Sequence, residues 1–175
     1  MKNNQVTSKD NSRRLVILSS LIILIIAHFL LRWIMARSPF LAESYYDEAV
    51  TGEMALHILK GEHQLFFWGQ PYMGALEAYL NAIVILFVGP SAAALRLTDT
   101  LISIFMLFLV NRIGTLAGDW KVGLLSAAYW ALGPLYLSII GLLATGGHVE
   151  ACAFSAFILL SISLLVFRPS INSVA

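Results

Sequence analysis

The sequence predicts an all-α fold: a polytopic transmembrane helix bundle, with interfacial amphipathic helices in its first outer loop. Three observations carry that expectation. Of the 175 residues, 59% are hydrophobic and only 12% charged, about half the charge fraction of a soluble domain. The apolar residues fall in long runs, the lengths that a bilayer crossing of about 20 residues requires. The remaining polar residues gather between those runs, and Tyr45, Tyr46, Phe66, Phe67, Trp68 and Tyr72 lie where an aromatic interfacial belt would form. Mean hydropathy is +0.81. The formal net charge of +1 gives no case for a nucleic-acid partner. The single Cys152 excludes an internal disulfide.

Residues 1–14 are polar and carry Lys2, Lys9, Arg13 and Arg14. They read as a short, flexible cytoplasmic tail. Residues 15–35 are almost unbroken Leu, Ile, Val and Phe and form the first expected span. SRRLVIL resembles a twin-arginine signal, but the apolar run is long for a signal and no small-x-small cleavage site follows. An uncleaved anchor entering from the cytoplasm is expected, with Arg32 and Arg37 snorkelling at its far end.

Residues 36–72 are the most polar part after the tail. Ser44 and Asp47 have the spacing of a capping box, Val50, Met54 and Ile58 recur at helical spacing, and Lys60-Gly61 makes a stop. An amphipathic helix on the outer membrane surface follows. Residues 73–88 are ambiguous, because Glu77 and Asn81 interrupt an otherwise apolar run that spans, re-enters or lies in the interface. Residues 92–110 form a second span, with Arg96 and Asp99 three apart and able to pair. Residues 112–121 make a short polar connection. Residues 122–143 form a third span with a kink expected at Gly133-Pro134. The turn ATGGHVE holds His148 and Glu150 before a last span over 151–167, and residues 168–175 form a tail. If 73–88 does not cross, the cations of the tail, the 112–121 loop and Arg168 all fall inside. Asp47, Glu48 and Glu150 then share the outer side. That topology is preferred.

Within this frame YYDEAVTGE is the first place to seek chemistry, since it sets Asp47 and Glu48 at the mouth of a membrane helix. Adjacent residues on a helix point about 100° apart, so one can act while the other supports. A plain cap by Asp47 and a solvated Glu48 explain the spacing as well. Glu150 begins a span, where a carboxylate is costly unless solvated, paired or used; stabilisation by the helix dipole is the alternative. His148, a lone histidine in a turn, reads first as a surface residue and second as a ligand for a metal or phosphate oxygen. Glu77 reads as a solvated or paired face residue. His57 and His63 lack a metal-ligand partner at a recognisable spacing. The sequence contains no phosphate-cradling glycine loop, nucleophile elbow or HExxH.

These residues, in this order, resemble the polytopic GT-C glycosyltransferases, and most nearly the protein O-mannosyltransferase and aminoarabinose-transferase-like group. The resemblance rests on the tail–anchor–YYDEA entry, on GQPYMGALEAYLNAIVILFVGPSAAALRL, on NRIGTLAGDWKVGLLSAAYWALGPLYL and on GGHVEA. It covers residues 13–167 as the N-terminal portion of a longer enzyme. Glu150 stands where relatives more often have Asp. The resemblance implies transfer of a sugar from a polyprenyl-phosphate donor to an acceptor on the outer face of the plasma (inner) membrane, with the N-terminus cytoplasmic. Asp47 would be the base or acceptor-orienting acid, and Glu48 its support. Glu150, with His148, would be a second-site acid. Tyr46, Gln70, Tyr72 and Arg96 would bind substrate. A divalent cation, Mg or Mn, would be held by Asp47 and Glu150 where relatives use one. Partners would be membrane lipid, the lipid-linked donor and other membrane subunits. Two competing readings remain at this point: an inactive truncated product, and a small non-enzymatic membrane subunit using Arg96, Asp99 and Asn111 for packing.

Overall fold

The computed structural model describes residues 2–41 and 46–166, and for residues 2–10 and residue 40 the backbone alone. The described residues are mainly helical, with one small hairpin among them. In order come α1 (Lys2–Ala36), a 3-10 turn (Pro39–Leu41), α2 (Tyr46–Leu59), β1 (Phe66–Phe67), β2 (Gln70–Gly74), α3 (Leu76–Val88), α4 (Ala92–Ala117), α5 (Trp120–Leu132), α6 (Leu135–Ile140) and α7 (His148–Val166). Three stretches, Asn11–Ala36, Ala92–Ala117 and His148–Val166, are long and apolar enough to cross a membrane, which points to a membrane protein. Large apolar side chains such as Ile23, Phe87, Leu125 and Leu165 lie exposed on the outside, as they would where lipid is the solvent.

Several elements differ from the sequence expectation. The polar residues 2–14 are not a separate tail but the opening of α1. No glycine or proline occurs from Lys2 to Ala36, so nothing in the covalent chain interrupts the helix before Pro39. The expected polar connection over 112–121 is mostly helix as well. α4 runs on to Ala117, and Asp119 caps α5 directly by accepting from the backbone N–H groups of Lys121 (2.8 Å) and Val122 (3.1 Å). At Gly133-Pro134 the helix breaks rather than kinks. Gly133 is extended, with ψ −174°, because the proline ring disfavours a helical residue before it. The hairpin was not foreseen: Phe66 and Phe67 pair antiparallel with Gly74 and Gln70 across Gly69, whose φ is +77°. The expected cap by Ser44 and the tail 168–175 lie outside the described residues.

The expectation for 45–60 holds in its bounds but not in its exposure. α2 turns Glu48, Thr51, Met54, Ala55 and Ile58 inward and packs against α3 and α4. Its core joins Met54, Ala55 and Ile58 to Phe67, Ala78, Ala82, Ala94, Leu95 and Ala144. Val50 is only partly buried against it. α2 is therefore an integral layer over the bundle and not a helix with its apolar stripe left to lipid.

Small residues set the crossing of α4 and α5. A Cβ at Gly123 of α5 would stand 2.7 Å from the Asn111 carbonyl of α4 and collide with Thr115 Oγ1. α4 and α5 thus approach backbone to backbone, as membrane helices do where the side chains are small.

The direction of each helix follows from its contacts. Arg96, near the start of α4, donates to the carbonyl of Ala36, the end of α1, so these two helices run antiparallel. Asp99 of α4 and Glu150 of α7 converge from the early turns of both helices, so α4 and α7 run the same way. The chain between them must return along the bundle, and α5 with α6 makes that return. One end of the molecule consequently gathers the end of α1, all of α2, the hairpin, and the starts of α3, α4 and α7.

Candidate functional site

The polar residues of the interior converge on that end in two groups. In the first, Arg96 donates from Nε to Glu48 Oε1 and from Nη2 to Glu48 Oε2, both at 3.0 Å. Its Nη1 reaches the Ala36 carbonyl at 2.9 Å. Glu48 is fully buried and Arg96 nearly so. A two-pronged pair of this kind satisfies both charges where water does not reach. It replaces the expected Arg96–Asp99 pairing. The guanidinium fork takes both Glu48 oxygens, while both Asp99 oxygens are buried without a hydrogen-bond partner. Glu48 is accordingly the anchor of α2, and Asp47 beside it is left half-buried.

Thr51 extends the anchor. Its hydroxyl lies 3.0 Å from the Asp47 carbonyl and 3.0 Å from the Ala144 carbonyl, tying α2 to the glycine-rich turn before α7. His28, Arg32 and Ser103 form a separate buried string. Arg32 can only donate, so His28 Nε2 accepts from Arg32 Nε at 2.9 Å and His28 Nδ1–H donates to the Ala131 carbonyl at 2.9 Å. The Ser103 hydroxyl stands 3.0 Å from His28 Nε2, and Arg32 also donates to the Gly141 carbonyl. Arg32 therefore does not snorkel: His28 and the Gly141 carbonyl hold it inside the bundle, and it is buried. Arg37 does stay exposed, stacked 4.2 Å above the Trp33 ring.

The second group is a buried carboxylate cluster. One oxygen each from Glu77, Asp99 and Glu150 lies within 4.8 Å of the others. Glu77 is not the solvated face residue of the sequence reading. Its Oε2 accepts from the backbone N–H of Gly146 at 2.7 Å and from that of Gly147. Both glycines have positive φ, +93° and +95°, the conformation in which successive N–H groups form an anion-binding concavity. Burial first, and then the Glu150 carboxylate, raise the Glu77 carboxyl to about 8, against the pull of the two amides. Glu77 opens α3, which at 13 residues is too short to cross a bilayer. Its Oε1, both oxygens of Asp99 and both of Glu150 have no hydrogen-bond partner.

The other residues singled out by sequence scatter around these groups. Tyr46 and Tyr72 are strongly exposed; the Tyr72 hydroxyl donates to Gln70 Oε1 at 2.7 Å. His148 is exposed at the start of α7, 3.4 Å from the Thr145 hydroxyl. His57 stands 2.6 Å from Glu62, and that hydrogen bond, then its charge, hold the Glu62 carboxyl below its usual range. His63 stacks on Tyr79. Of the two carboxylates expected to hold a cation, Glu150 joins the cluster and Asp47 is not one of its three members. Asp99 and Glu77 are the residues that sequence reasoning missed. The signal was available in part, since a charged residue inside an apolar run is costly and so marks a site.

An apolar cavity of about 670 Å³ opens beside the Glu48–Arg96 pair. Phe29 and Trp33 of α1, Val88 of α3 and Leu97 of α4 wall it, and Arg32, Arg37 and Arg96 line it as cations. Comparison with known proteins found no matching family model, no similar curated protein and no similar solved structure.

Proposed function

We propose that this chain contributes the lipid-donor end of a membrane glycosyltransferase site, passing sugar from a polyprenyl phosphate to an acceptor on the outer face. The observation that supports this most is the cavity between α1 and α4. Its aromatic and aliphatic wall suits an isoprenoid chain, and its arginines suit a phosphate. Arg32 and Arg96 spend donors on protein partners, so exposed Arg37 is the cation assigned to the phosphate. The order of the motifs from YYDEA to GGHVEA supports the same reading by resemblance.

In this reading α2 is the catalytic element. Glu48 pins it to α4, and Asp47, one residue away, is held at a fixed place without being consumed by the pair. A carboxylate so placed takes the proton from an acceptor hydroxyl as it attacks the sugar, while the arginine-lined cavity receives the charge of the departing lipid phosphate. Membrane crossing by α1, α4, the α5–α6 pair and α7, with the N-terminus cytoplasmic and α2 outside, belongs to the same proposal.

Photocapture tests the donor cavity. A polyprenyl phosphate carrying a photoreactive group in its chain should label peptides from α1 and α4 in membranes, and excess unlabelled polyprenyl phosphate should abolish the labelling. Arg37→Ala should reduce capture at least tenfold. Capture that neither competitor nor Arg37→Ala diminishes would refute the cavity as the donor site.

A further inference from the structure

The buried carboxylates at the meeting of α3, α4 and α7 remain outside that reading. Three acids within 4.8 Å of one another repel strongly. Five of their six oxygens have no hydrogen-bond partner. The surrounding cations do not balance them. Arg96 is spent on Glu48. Arg32 is close enough to attract Asp99 but directs its hydrogen bonds to His28 and Gly141. His148 attracts Glu150 from an exposed position. Were all three acids ionised together, Arg32 would leave two of their negative charges uncompensated among the described residues.

A second observation is independent of the acids. Asn81 is fully buried, and neither its amide oxygen nor its amide nitrogen has a partner. It stands one turn beyond Glu77, on the same face of α3. An orphaned amide oxygen one helical turn from an orphaned carboxylate adds a donor of the kind that a hard cation takes. A groove of about 480 Å³ leads in from the surface past Tyr72, Gly147 and His148 to Glu77 and Glu150. Two of the three acids line that groove.

We infer that Glu77, Asp99 and Glu150, with Asn81, bind one hard divalent cation, calcium, which fastens α3, α4 and α7 together. The choice of calcium follows from the donors: acids and an amide held on packed helices suit its roughly six to eight oxygens in flexible geometry, whereas magnesium demands near-ideal octahedral geometry and keeps several waters. The amides of Gly146 and Gly147 hold Glu77 by one oxygen and leave Oε1 for the ion. The test of the site needs no sugar donor.

Calorimetric titration of the chelator-stripped full chain in detergent micelles tests it, with Ca²⁺ and then Mg²⁺ as probes. One Ca²⁺ should bind per chain, at least tenfold more tightly than Mg²⁺, and should raise the thermal midpoint because it binds the folded state alone. Asp99→Asn and Glu150→Gln should each weaken Ca²⁺ at least tenfold. Glu53→Gln, an exposed acid on α2, should bind as the parent does. Absence of saturable Ca²⁺ binding by the parent chain overturns the site, and so does parental affinity in either cluster variant. Equal affinity for Mg²⁺ overturns the choice of calcium. The parent titration decides the matter even where a cluster variant fails to fold.

Discussion

Arg96 grips both oxygens of Glu48 across 48 residues of sequence, at 3.0 Å each, and so locks the acid-bearing helix to the core of the bundle. The lock explains why two adjacent carboxylates behave so differently. Glu48 is buried and neutralised, while Asp47 remains partly accessible.

Breaking the lock from one side should be costly. Glu48→Gln leaves the Arg96 charge buried without its counter-ion, and such losses typically amount to about 3–5 kcal/mol. Thermal unfolding in micelles should show it, together with faster amide exchange over residues 46–59. The double variant Glu48→Leu, Arg96→Met removes both charges and should recover most of the stability. A single variant as stable as the parent would mean that the pair is not what holds α2.

The close crossing of α4 and α5 predicts a sharp dependence on side-chain size. Gly123→Ala places a methyl against the Asn111 carbonyl backbone, which cannot swing aside. Overpacking of this kind costs about 1–3 kcal/mol, and Gly123→Leu should cost more. Gly61→Ala is a useful contrast, since a Cβ there meets nothing and only its φ of +89° is strained. Thermal midpoints of the variants should fall in that order, with Gly123→Leu lowest.

Topology is tested by chemistry at three points. In a Cys152→Ser background, single cysteines at positions 8, 62 and 118 should divide by side. An impermeant thiol reagent applied to intact cells should label position 62 alone. Positions 8 and 118 should react only after the membrane is opened. Labelling at 118 in intact cells would contradict the return passage assigned to α5 and α6.

Much of this architecture was legible in the sequence, because apolar run length and glycine–proline punctuation are local signals. The bounds of α2 could be read from Val50, Met54, Ile58 and Lys60-Gly61, and the start of α4 from Gly89-Pro90. Partnership was not legible. Arg96 and Asp99 are three residues apart and share one helical face, so local geometry favoured pairing them. Tertiary packing gave Arg96 to Glu48 instead and turned Asp99 toward Glu77 and Glu150. No periodicity could reveal that three acids from three helices meet. Nor could it reveal that Gly146 and Gly147 exist to hold Glu77. The hairpin at 66–74 escaped for a similar reason: its strands are short and their aromatics equally suit a membrane interface.

The sharpest prediction concerns Asp47, and it must distinguish chemistry from helix capping. Asp47→Asn preserves size and can still accept a hydrogen bond from a helix N–H, so a cap survives the change. The negative charge is lost, and a general base cannot act without it. The neighbouring Glu48–Arg96 pair is untouched, so α2 should stay in place. With labelled polyprenyl-phosphate sugar in membranes of cells expressing the gene, transfer should fall about 10²–10⁴-fold, while expression and the thermal midpoint stay at the parental level. Glu48→Gln should lower transfer together with stability, because it acts through the position of α2. Glu150→Gln should lower it less than Asp47→Asn, and added Ca²⁺ should not restore it. Parental transfer by Asp47→Asn would show that the acid pair only shapes the helix, and the glycosyltransferase reading of YYDEAVTGE would fall with it.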